Sequence, residues 1–252
     1  MTIILFIFLS IIPSLIWLAF FLKEDPYPEP RKVILKTFLI GILFALPVIA
    51  ICLTIEFLMR FVGISFEMSS YVGIIFLSPV IEELSKYLAL KSSAFKSSYL
   101  DEPVDFMVYA ITAALGFAAM ENLIFLFPGR EILTGKIPFF FIQEMMMGSA
   151  IRFASGTLLH ALSSGIVGFF LALSAKHIKK RFCYIGLALS ILLHGFYNFS
   201  IISKGADASL SIMTPVILIS AFIVILFFFF MIRRLSSVCY IQNQKTKNEQ
   251  SN

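Results

Sequence analysis

Glu82 and Glu83 stand side by side, and Glu121 with Asn122, His160, and His194 with Asn198 follow on three later stretches, all within otherwise apolar runs. Carboxylates that take up protons, imidazoles that pass them on and amides that donate to oxygen are the parts from which a hydrolytic site is built. An ionisable group at the centre of a bilayer costs roughly 3 kcal/mol even on a lenient insertion scale. A chain that places several there is expected to gather them into one polar site inside the membrane.

The elements that must position these groups are membrane helices. Hydrophobic residues make up 59% of the 252 residues and charged ones 14%, and the mean hydropathy is +0.94. Lipid is therefore the main solvent, and spans of about 20 residues each consume nearly the whole chain, leaving no room for a soluble catalytic domain. The fold expected is an all-α, polytopic transmembrane bundle at the cell membrane. Its seven spans fall near 3–22, 33–58, 71–90, 104–127, 150–175, 182–202 and 209–232. They form one domain over 1–236 with a catalytic core at about 70–202, followed by a polar, disordered tail at 237–252. The first span lacks a basic leading region and a small-residue cleavage site, so it reads as a span and not as a signal peptide.

Basic residues set the orientation. Of the 20 Lys and Arg, fourteen fall in the connections after spans one, three and five and in the tail, five fall on the opposite side, and Lys86 lies within a span. That asymmetry predicts an outer N-terminus and a cytoplasmic C-terminus. Topology and attraction to anionic lipid then account for the net charge of +5 without nucleic acid as a partner. The segment 25–32, DPYPEPRK, reads as a stiff cytoplasmic connection because its prolines forbid helix. The run 137–147, IPFFFIQEMMM, is too short to cross and is expected to lie at the outer interface or to re-enter, as an anchor or as a lid. Cys52, Cys183 and Cys239 lack the spacing of a disulfide framework or of a cysteine metal site.

With a rise of 1.5 Å per residue, Glu82, His160, His194 and Glu121 sit roughly 16, 15, 12 and 9 Å below the outer face, which agrees to within about 7 Å. The four-residue stripes Gly156, His160, Ser164, Gly168 and Gly186, Ser190, His194, Asn198, with Ala114, Ala118 and Asn122 on span four, mark faces turned toward protein. Glu82 and Lys86 are four apart in the favourable order for an ion pair. Ser163, Ser164 and Ser190 read as interhelical hydrogen bonds. His177 is expected at an interface, and Glu56, Asp105 and Glu144 are expected close enough to interfaces to be solvated.

The strings EELSK (82–86), FAAMEN (117–122), the His160 helix with its following Ser and Gly, HGFYN (194–198) and the early DPYPEP resemble, in order, the motifs of the PrsW family of intramembrane proteases, itself similar to the glutamic intramembrane proteases that include the CAAX prenyl endopeptidases. The resemblance covers about 25–200. It implies proteolysis of a membrane-anchored protein within or beside the bilayer, in some relatives the first cut of an anti-sigma factor in a stress response.

The residues themselves suggest the mechanism. Glu82 or Glu83 would be the base, His160 and His194 would orient water or protonate the leaving amine, Asn122 or Asn198 would donate to the oxyanion, and Lys86 would moderate the paired charge. A metal-free glutamate mechanism is favoured because no HExxH or other short ligand motif is present. Zinc, if used, would be held by His160 and His194 with Glu83 or Glu121, which leaves a position open. The rival readings are a proton- or ion-coupled transporter and a catalytically silent scaffold or immunity protein on the same fold.

Overall fold

The computed structural model describes residues 2–250 apart from 69, 96, 128, 130–137, 178 and 204–211, and leaves the side chains of 2, 177 and 235–250 undescribed. The expected start of the last span at 209, the His177 side chain, four of the counted basic residues (Lys96, Arg130, Lys136 and Lys204) and the side chains of the tail lie outside the described residues.

Among the described residues every element is helical: α1 (Thr2–Phe21), α2 (Arg31–Phe61), α3 (Ser78–Ser93), α4 (Pro103–Phe125), α5 (Phe139–Ala154), α6 (Gly156–His177), α7 (Arg181–Ser203) and α8 (Met213–Gln250), with a five-residue π turn, Gly73–Leu77, leading into α3. Among the described residues six stretches are long and apolar enough to cross a membrane: Ile3–Glu24, Arg31–Phe61, Pro103–Phe125, Phe139–Lys176, Arg181–Ser203 and Met213–Arg234. The chain is a multi-pass membrane protein. The expected third span is helical over 71–93 but is not among the six; Glu82, Glu83, Lys86 and Lys91 make it too polar to stand against lipid alone.

At the centre lies α4, packed against α1, α2, α3, α6 and α8. Its residues from Val104 to Ala119 are buried almost without interruption, the signature of a helix surrounded by protein. Close approach is built from small residues. A Cβ on Gly41 of α2 would stand 2.0 Å from the Ala113 carbonyl oxygen of α4, and one on Gly116 of α4 would stand 2.0 Å from that of Phe38 in α2. The two backbones therefore touch through a reciprocal pair of glycines, and any side chain at either position would push them apart. On the other side of α4, Gly168 of α6 meets Met107, where a Cβ would stand 2.5 Å from its Cα.

The expected single span over 150–175 is broken. Ser155, at φ −131° and ψ −90°, ends α5, and α6 begins at Gly156. Residues 139–147 of the short run are thus the start of a 16-residue helix that reaches Ala154 and lies along α1: Ser149 Oγ donates to Leu9 O at 2.7 Å and Trp17 Nε1 donates to Phe153 O at 2.8 Å. Hydropathy alone could not show the break, since both halves are apolar.

Candidate active site

The π turn is a consequence of Pro79. In the i to i+5 pattern the partner of Ile74 O is residue 79, and proline has no N–H to give. The orphaned carbonyl is satisfied from another helix, because Asn198 Nδ2 on α7 donates to Ile74 O at 2.8 Å. The α7 backbone comes close enough at Gly195, where a Cβ would be 2.7 Å from Ile75 O. This junction fixes the start of α3 against α7, four residues before the first of the two glutamates.

From there Glu82 and Glu83 diverge. Glu83 is enclosed, with 1% of its surface exposed. Its Oε1 accepts from Lys86 Nζ, from Ser163 Oγ at 3.2 Å and pairs with His194 Nδ1 at 2.7 Å, while its Oε2 accepts from Ser190 Oγ at 2.5 Å. Four donors from three helices converge on one carboxylate, as a buried charge requires. Glu82 accepts from Ser78 Oγ through Oε1. Its Oε2 is buried, has no hydrogen-bond partner and lies 3.7 Å from His194 Nε2.

The second imidazole continues the network. Lys86 Nζ donates toward His160 Nδ1 at 3.0 Å, and His160 Nε2 meets Glu121 Oε2 at 2.7 Å. Glu121 also accepts from Arg152 NH2, and Arg152 Nε donates to Asn122 Oδ1. Asn122 Nδ2 in turn donates to Ser10 O at 3.2 Å and to Thr157 Oγ1 at 3.1 Å. The two imidazole rings lie edge to face, 5.4 Å apart.

Glu82, Glu83, Lys86, Glu121, His160 and His194 thus form one connected polar cluster at the meeting of α3, α4, α6 and α7. Asn122 and Asn198 flank it, with side-chain amides tied to neighbouring groups. Lys86 does not pair with Glu82, as the four-residue spacing suggested, but with Glu83 three residues before it. Glu83 is the more enclosed of the two acids and leaves no other place for its counter-charge. Arg152 is one of the five basic residues that the charge asymmetry assigned to the outer side. It instead reaches Glu121 and Asn122, past Gly156, where a Cβ would stand 3.3 Å from its NH2. The signal available in the sequence was an arginine inside an apolar run, two turns before His160. Ser163 and Ser190 do bridge helices, but the group they bridge to is Glu83.

The donor set fits a zinc-class ion. Glu82, His160 and His194 each offer one ligand atom, all within 4.8 Å of one another and all buried, and three protein ligands of this kind leave a position open for chemistry. Glu82 Oε2 is unengaged, and His194 Nε2 is free once Nδ1 donates to Glu83, the outer-sphere arrangement typical of metal-bound imidazole. His160 has both nitrogens occupied, so it would release Lys86 or Glu121 to bind an ion. The carboxylate grouped with the imidazoles is Glu82, not Glu83 or Glu121, which are engaged elsewhere.

Residues 29–232 match the family described as "PrsW family intramembrane metalloprotease". The chain belongs to the PrsW family. Among its PrsW relatives are proteins named "Protease PrsW" from Oceanobacillus iheyensis, 28% identical over 209 residues, spanning 82% of this chain and 86% of the relative, from Geobacillus kaustophilus, 28% identical with 77% and 79% spanned, and from Bacillus subtilis, 28% identical with 75% and 79% spanned. No solved structure matches the chain. As a member of that family it is an intramembrane protease.

Proposed function

We propose that this PrsW protein is an endopeptidase that cuts a membrane-anchored protein, with Glu82 as general base and the gap between Glu82 Oε2 and His194 Nε2 as the place of the attacking water. The observation that carries this reading is the buried, unpartnered Glu82 Oε2, 3.7 Å from His194 Nε2. Two acceptors facing one gap call for a donor or a cation between them, and a water there would donate to both.

The steps follow from the side chains. Glu82 takes a proton as the water oxygen attacks the scissile carbonyl carbon. Glu83, neutralised by Lys86, holds His194 through Nδ1 and so keeps Nε2 turned toward the water. Glu82 then gives that same proton to the amine nitrogen as the C–N bond breaks, while His160, backed by Glu121 and Arg152, orients the reacting groups. Asn122 has both amide hydrogens engaged. Asn198 has committed one and is the amide able to donate to the oxyanion. If an ion is bound, Glu82, His160 and His194 would hold it, and it would supply Lewis acidity and lower the pKa of water.

The test is reconstitution in vesicles with single-pass candidate substrates, among them a membrane-bound anti-sigma factor. Cleavage by wild type that disappears in Glu82→Gln supports the reading; cleavage that survives in Glu82→Gln, or ion-coupled flux without cleavage, overturns it. Metal content and 1,10-phenanthroline then separate the two chemistries. Full activity in the chelator favours a glutamate-only site, and stoichiometric zinc lost in His160→Ala favours a metalloprotease.

A further inference from the structure

A second group of acids lies at the other end of α4. Asp105, expected near solvent, is 1% exposed, and Asp25, in the connection between α1 and α2, is 5% exposed. One carboxylate oxygen from each of Asp25, Glu29 and Asp105 lies within 4.8 Å of the others. Part of their capacity is used: Asp25 Oδ1 accepts from Tyr27 N at 2.9 Å, Glu29 Oε2 from Tyr109 OH at 2.5 Å, and Asp105 Oδ2 from the N–H groups of Asp101 at 3.0 Å and Glu102 at 2.6 Å. Asp25 Oδ2 is buried and has no hydrogen-bond partner. Among the described residues no Lys, Arg or His forms an ion pair with any of the three, and the nearby charge of Asp101 has the same sign.

We infer that Asp25, Glu29 and Asp105 form a binding site for a hard divalent cation, Ca²⁺ or Mg²⁺, that clips the α1–α2 connection onto the start of α4. Buried like charges without a counter-ion are held only at high cost, and an ion removes that cost while using the unpartnered Asp25 oxygen. The donors are all oxygens, the chemistry of Ca²⁺ and Mg²⁺; the first site offers imidazoles, which suit zinc. Prolines at 26, 28 and 30 fix the backbone around Asp25 and Glu29, so little chain entropy remains to be lost on binding. Asp105 and Glu121 are about 24 Å apart along α4, which separates this site from the catalytic cluster. The site is structural: it anchors the end of the central helix and makes no contact with the proposed water.

The experiment uses the full chain in detergent, stripped with EDTA, at neutral pH. Ca²⁺ and Mg²⁺ are titrated by calorimetry and by thermal unfolding. One saturable site per chain and a higher melting temperature are expected, both retained in Glu82→Gln. Asp25→Asn and Glu29→Gln, which preserve shape, are each expected to weaken binding more than about tenfold while remaining folded by circular dichroism. Absence of saturable binding, or binding equal in wild type and both variants, overturns the proposal. Stabilisation by acid alone with both cations silent also overturns it, because the carboxyls would then be sharing protons.

Discussion

His194 Nδ1 sits 2.7 Å from Glu83 Oε1, while Nε2 of the same ring faces Glu82 Oε2 at 3.7 Å. Adjacent glutamates thus engage opposite edges of a single imidazole, one as its anchor and the other across a gap. Two consecutive identical residues acquire different work because successive side chains on a helix point about 100° apart.

That division predicts different outcomes for two conservative variants. Glu82→Gln removes the proposed base but little packing, so cleavage should fall by about 10²–10⁴-fold with the melting temperature nearly unchanged. Glu83→Gln leaves Lys86 buried without its partner and should cost about 3–5 kcal/mol. Proteolysis and thermal unfolding measured on the same preparations check both; equal destabilisation would refute the division.

Arg152→Lys keeps the charge but cannot reach Glu121 and Asn122 together. A loss of about 1–2 kcal/mol is expected, discounted because Glu121 is partly exposed, with reduced kcat as His160 loses a firmly held Glu121. The readout is the ratio of the kcat change to the KM change. A pure KM effect would place Arg152 in substrate binding instead.

Asn198→Ala leaves the Ile74 carbonyl without its donor, at a cost of about 1–3 kcal/mol. Because that carbonyl lies in the π turn that sets the start of α3, the variant should lose both thermal stability and activity. Lost activity with full stability would assign Asn198 to the oxyanion alone.

Gly41→Ala and Gly116→Ala each insert a Cβ at 2.0 Å from a carbonyl oxygen of the facing helix. Overpacking of this kind costs about 1–3 kcal/mol, and here the obstacle is backbone. Both variants should melt earlier or accumulate poorly in the membrane, whereas Gly63→Ala, with nothing within 4 Å of the added Cβ, should lose only what its positive φ imposes.

Burial raises the carboxyl groups of Asp25 and Glu29 above their ordinary range. A raised acid holds its proton more tightly when folded, so stability is greatest at acid pH and declines as pH climbs through the folded-state values. The charge of Asp101 presses both in the same direction and that of Asp25 adds to it on Glu29, while hydrogen bonds from Tyr109 and Asp105 to Glu29 oppose it without reversing it. Metal-stripped protein should therefore melt at a lower temperature at pH 8 than at pH 5, and Ca²⁺ or Mg²⁺ should narrow that difference.

Residue types and their order along the chain are enough to identify a membrane helix bundle and to mark the ionisable residues of its polar centre. Composition and long apolar runs leave only lipid as solvent, and Glu82, Glu83, Lys86, Glu121, His160 and His194 stand out because charge inside such runs is costly. Which partner each group takes was decided by tertiary structure alone. Lys86 turns to Glu83 although the spacing favoured Glu82, Arg152 enters the site through a helix break that hydropathy does not register, and Asn198 serves a carbonyl freed by Pro79 on another helix. Asp105, at a helix start, is sealed by a connection folded over it. Hydropathy follows from residue type and survives any arrangement of the chain, whereas pairing depends on where side chains point once helices have packed, and that information is spread over contacts distant in sequence.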